Sequence, residues 1–93
     1  MDDPRQLYVR AIDQWGVPAQ LNIVVEECSE LIVVVLHALR GRCQLSELAG
    51  EVADVTIMCE QLRLMVGEEL VDETKAAKLA RLRQRLGEEA ERD

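Results

Sequence analysis

A chain of 93 residues has room for one domain and no second core, and a hydrophobic share of 48% argues against disorder. The formal charge of −7 excludes duplex nucleic acid and anionic membrane as main partners, because both are held by a basic footprint. An anionic small molecule suits such a surface only when a cation mediates.

The spacing of Leu7, Tyr8, Ile12 and Trp15 predicts a first helix over residues 3–15, stopped by Gly16. Gly16-Val17-Pro18 reads as a turn, and Pro18 suits the opening of a second helix that runs to about Leu39, where Gly41 can cap it. This helix contains "LIVVVL", which is β-branched enough for a buried strand. Length decides for helix, since no turn signal interrupts the apolar pattern between Pro18 and Gly41, and each valine costs only a few tenths of a kcal/mol there. "RGRCQLS" is a loop, with Ser46 as the natural N-cap of a third helix from Glu47 to about Val66, ended by Gly67. A fourth helix covers roughly Glu68 to Leu86, and "GEEAERD", residues 87–93, is expected to fray.

With Tyr8 and Trp15 as the only aromatic residues, the core must be aliphatic, which favours an all-α bundle of four helices over a sandwich or barrel. A second helix that is apolar nearly all round needs cover on nearly all sides, more than a four-helix monomer of this size can give. A homodimer or a dimer of dimers is therefore expected, with that helix at its centre. Cys28, Cys43 and Cys59 are odd in number and lack C-x-x-C spacing, so free thiols in a reducing cytoplasm are expected, with Cys28 and Cys59 packing as small apolar groups. "MDDPRQLYVR" has no apolar signal region, and no apolar run reaches membrane-spanning length.

"EECSELIVVVL", residues 26–36, sets three carboxylates against a water-avoiding run. Glu27 and Glu30 are i and i+3, so they share one side of the second helix; Glu51 and Asp54 repeat that spacing on the third. On the third helix, Leu48, Val52, Val55, Cys59, Leu62 and Val66 form the apolar stripe. At about 100° per residue, Glu51 falls ~40° from Val55, inside the stripe, and Asp54 at its edge, while Glu47 and Glu60 point to solvent. An antiparallel pairing through the 40–46 loop brings the two pairs opposite one another. Between residues 20 and 62 the only basic groups are His37, Arg40 and Arg42, all near one helix end, so a salt-bridge network lacks its cations. Four facing carboxylates without cations call for divalent metal, and oxygen ligands select hard ions, Mg²⁺ first and Mn²⁺ second. A di-iron site wants Glu-x-x-His, and His37 stands seven residues past Glu30; zinc lacks a His/Cys cluster.

The motif E-E-x-x-E, here "EECSE", followed by E-x-x-D, here "EVAD", resembles the MazG-like nucleoside triphosphate pyrophosphohydrolases, the all-α NTP pyrophosphatases. The resemblance covers roughly Trp15 to Leu86: "WGVPAQLNIVVEECSEL" and "ELAGEVADVTIMCEQLRL" are similar to the two motif helices, and "ETKAAKLARLRQRL" to the basic closing helix of small phage- or prophage-associated members. It implies Mg²⁺-dependent hydrolysis of a nucleoside triphosphate to the monophosphate and pyrophosphate by a single domain over residues 1–93. It also implies Glu27, Glu30, Glu51 and Asp54 as metal ligands and Glu26 as the base for the attacking water. The cations Lys75, Lys78, Arg81 and Arg85 share one side of the fourth helix. They are either a solvated face or, through Lys78 and Arg81, contacts to substrate phosphates. Trp15 is either core or a platform that stacks a base. A reading of a different class is a non-catalytic helical regulator that binds nucleotide or protein; the retention of all five motif acids favours the enzyme.

Overall fold

A computed structural model describes residues 3–92, with side chains through Glu88. Four helices follow in order, α1 (Pro4–Trp15), α2 (Val17–Leu39), α3 (Leu45–Val66) and α4 (Glu68–Arg92), with no strand among the described residues. The chain is all-α, as the sequence predicts. No helix among the described residues is long and apolar enough to cross a membrane.

Local chemistry sets each boundary. Asp3 caps α1 reciprocally: its carboxylate accepts from Gln6 N at 2.9 Å, and its own N–H donates to Gln6 Oε1 at 2.8 Å. Gly16, at φ +87°, lies between α1 and α2; its N–H donates to Ile12 O and its carbonyl accepts from Gln20 N. At the end of α2, Gly41 takes φ +68°, its N–H donates to Ala38 O and Arg42 N donates to His37 O, the paired closure of a left-handed cap. Two expectations are corrected. Helix α3 begins at Leu45, not Glu47, because the carbonyl of Gln44 accepts from Glu47 N and Leu48 N. Ser46 therefore lies inside the first turn and is not the cap. Helix α4 does not stop at Leu86 but runs through Gly87 to Arg92; Asp93 lies outside the described residues.

The short 40–44 connection folds α2 and α3 into an antiparallel hairpin, by far the most extensive packing in the chain. Helix α1 crosses both. Among the described residues, backbone contacts of α4 are with α3 alone, near Gly67, whose φ of +123° makes the bend between them. The join is held by side chains. Arg63 grips Asp72 with two parallel bonds of 2.7 Å and reaches Glu68 at 3.1 Å, while Arg5 of α1 reaches Glu68 at 2.7 Å. These pairs hold the Glu68 and Asp72 carboxyls below their usual range and raise the Arg63 guanidinium, hydrogen bonding being the largest cause in each case. Tyr8 adds a hydrogen bond from α1 to Glu60, which raises the phenol. Arg63→Met should lower the melting temperature by a few degrees. About a third of the Arg63 side chain is exposed, so the loss should shrink in molar salt; a salt-independent loss would assign Arg63 a packing role.

Among the described residues, Met58 is the only buried apolar one, along with buried Gln20 and Gln61. Much of the apolar surface of α2 and α4 faces outward, including Val25, Ile32, Leu36, Leu79 and Leu82. This corrects the predicted stripe on α3 in part. The side of α3 turned toward α2 carries Glu51, Met58 and Gln61; of the stripe, Leu48, Val55 and Leu62 are half-buried, whereas Val52, Cys59 and Val66 are exposed. The two sides lie roughly 80° apart. Cys59 thus does not pack as a small apolar group; it lines a cleft between α1, α3 and α4.

Candidate metal centre

Packing of α2 against α3 brings the two carboxylate pairs together. One oxygen from each of Glu27, Glu51 and Asp54 falls within 4.8 Å of the others. Glu30 lies outside that group of close oxygens, but its charge helps to raise both Glu27 and Glu51. The i, i+3 spacing supplies two acids per helix on one side, and the antiparallel hairpin sets them opposite one another. The seam alternates along its length: buried Gln20 and Gln61 toward the start of α2, then Met58, then the acids.

The electrostatics are one-sided. Burial is the largest force raising the Glu27 and Glu51 carboxyls above their ordinary value of 4.5, and every other force on them is a neighbouring carboxyl. No cation contributes to either shift. Glu27 Oε2 and Glu51 Oε2 are buried without a hydrogen-bond partner, the condition that protonation or a metal ion relieves. The donors are all oxygens, without imidazole or thiolate, which fits a hard divalent ion of the Mg²⁺ class. Gly50, just before Glu51, meets nothing within 4 Å of where a Cβ would be, so the flank of the cluster is open.

The remaining sequence-predicted residues lie elsewhere. Glu26 is exposed on α2, next to Glu27 and outside the group of close oxygens. Trp15 is 60% exposed at the α1–α2 bend and is not core. Lys78 and Arg81 are exposed on α4, and the cavities they line hold none of the clustered acids. Sequence reasoning missed the Gln20/Gln61 pair; the signal was a lone amide in the inward register of each helix, 7 residues before Glu27 and 7 after Asp54. Compared with known proteins, the chain matches no protein-family model, no curated protein and no solved structure.

Proposed function

We propose that this chain is a Mg²⁺-dependent nucleoside triphosphate pyrophosphohydrolase of the MazG-like kind, acting on dNTPs or non-canonical NTPs. The observation that carries the reading is the facing of Glu27, Glu51 and Asp54 across one helix pair, with two buried oxygens unpartnered and no cation contributing to the raised Glu27 and Glu51 carboxyls. The motif E-E-x-x-E…E-x-x-D supplies these acids. Glu27, Glu30, Glu51 and Asp54 would hold the ion or ions, which when bound reverse the local potential so that a polyanion can approach.

The chain's own residues then divide the work. Glu26 lies ~100° round α2 from Glu27, so it borders the site without joining the ligand set. Its carboxylate accepts the proton of a water whose oxygen attacks the α-phosphorus. The bond from that phosphorus to the oxygen bridging the α and β groups breaks, and pyrophosphate leaves with the bonding pair. Lys78 and Arg81 are the cations suited to the leaving phosphates, and Trp15 is an exposed face for a base.

A panel of canonical and modified NTPs and dNTPs, assayed with Mg²⁺ for both products, tests the reading. Monophosphate and pyrophosphate in equal amounts are expected, with no orthophosphate and with activity lost in EDTA. Nucleoside diphosphate plus orthophosphate would assign attack at the γ-phosphorus instead. Nucleotide binding without turnover would favour the non-catalytic regulator.

A further inference from the structure

Gln20 and Gln61 are 2% and 6% exposed, the buried polar side chains among the described residues, and the acidic centre makes no use of them. Gln20 Nε2 has no acceptor, and Gln61 Oε1 has no donor. The two stand at one level of the seam. Each is 7 residues from an acid of the facing group, Gln20 before Glu27 and Gln61 after Asp54. That spacing is two turns, about 10.5 Å along each antiparallel helix and within ~20° of the same side. A spare donor and a spare acceptor thus face one another, and rotation about the terminal side-chain bonds lets the first donate to the second.

Burial of apolar surface does not account for how these helices face. On α2 the apolar arc centres on Val24, Cys28 and Val35, ~80° round from Glu27, and Leu21, Val25 and Val35 on that arc are exposed. The apolar stripe of α3 is turned aside by a similar angle. Glu27, Glu51 and Asp54, the other polar groups that meet here, repel one another and favour a turn that separates them. Tyr8 bonds to Glu60, and Arg63 to Glu68 and Asp72; these tie α3 to α1 and α4 and do not reach α2. The amides are what is left. We propose that Gln20 and Gln61 are positioning residues of the acidic centre: they partner one another across the seam, and that bond selects the sides of α2 and α3 that meet. Turning either helix to bury its apolar arc strands an amide without a partner. The bond that prevents the turn also keeps Glu27 opposite Glu51 and Asp54. A buried polar pair can select one arrangement among several apolar ones in this way.

The test reads facing apart from stability. With Cys28, Cys43 and Cys59 replaced by alanine, E27C/D54C places one thiol on each helix at the acidic centre. Dibromobimane, a short cross-linker that fluoresces once both ends have reacted, bridges the two within one chain when those positions face. With both glutamines present, a high yield of the bridge is expected, confirmed as intrachain by mass. Q20L/Q61L should keep its helicity and melt no lower than this parent, yet form the bridge several-fold less. Each single variant, Gln20→Leu or Gln61→Leu, should melt below both parent and double variant, because it strands the remaining amide. Gln61→Asn, which keeps an amide, should retain more of the bridge than Gln61→Leu. A double variant that bridges as well as its parent assigns the facing to packing alone and overturns the proposal. So does a parent that fails to bridge. Single-variant losses that add in the double variant, loss of its fold included, also overturn it, since amides that act independently are not partners. None of these measurements needs metal or nucleotide. In chains with the acids intact, Q20L/Q61L should also lose the Mg²⁺-dependent rise in melting temperature, and a rise kept in full overturns the positioning role. That measurement alone rests on the metal reading: a wild type without the rise refutes that reading, and the bridge still judges the amide pair.

Discussion

On the pyrophosphohydrolase reading, Glu51→Gln should abolish pyrophosphate release, on the order of 10³-fold or more, because it would remove one of the carboxylates that hold the metal. Ligand binding confined to the folded state stabilises by RT ln(1 + [L]/Kd), about 2.7 kcal/mol at a hundredfold excess over Kd, so the wild type should melt higher in Mg²⁺ and the variant should respond weakly. In EDTA the order reverses. Glu51 sits among other carboxyls with one buried oxygen unpartnered, so the neutral amide of the same shape should melt above the wild type. Glu26→Gln separates the roles: hydrolysis lost, Mg²⁺ response kept. Thermal melts of the three proteins, with and without Mg²⁺, decide. If Glu51→Gln lowered the melting temperature in EDTA and left the Mg²⁺ response whole, Glu51 would be a structural partner and the metal would bind elsewhere.

The second large effect is on pH dependence. Glu27 and Glu51 have carboxyls raised above 4.5, by burial first and their carboxyl neighbours next. The folded chain therefore holds their protons more tightly than the unfolded chain. Their stabilising contribution is complete below 4.5 and is lost as pH rises through the raised values. Glu68 and Asp72 act in the opposite sense: hydrogen bonds from Arg5 and Arg63 respectively lower them from 4.5 and 3.8. Their contribution is present above those values and lost as pH falls through the lowered ones. The metal-free protein should thus be most stable slightly above pH 4, and self-repulsion of a chain carrying −7 adds to the decline toward neutrality. Saturating Mg²⁺ should move the optimum to near neutral pH by compensating the clustered acids. Melting temperatures from pH 4 to 8 in EDTA and in Mg²⁺ provide the comparison. An EDTA curve that rose steadily to pH 7 would show the cluster to be relieved by something other than metal.

Two levels of determination meet in this molecule. The number and order of the helices were legible because most of their limits rest on local chemistry. Gly16, Gly41 and Gly67 all take positive φ where the chain turns, and the long apolar run through α2 left no other element of that length. The partnership of the acids was legible too: spacing of i, i+3 fixes two carboxylates on one side of a helix whatever the helix packs against. Local signals misled where a backbone carbonyl replaced a side chain, as at Gln44 in place of Ser46. They also misled where a lone glycine, Gly87, did not end a helix.

Which side of α3 faces α2 was not legible. Apolar periodicity marks a side that wants cover without saying what covers it. The side turned to α2 is the polar-looking one with Glu51, Met58 and Gln61, while Leu48, Val55 and Leu62 of the apolar stripe are only half-buried and Val52 and Val66 stay exposed. Only the tertiary structure could decide this, because the choice belongs to the pair of helices and not to either sequence alone. The same holds for α4. Its cations and leucines can be read from the chain, but their separation from the acids depends on the bend at Gly67 and the ion pairs of Arg63. Those contacts join residues of different helices, and no period within one helix encodes them.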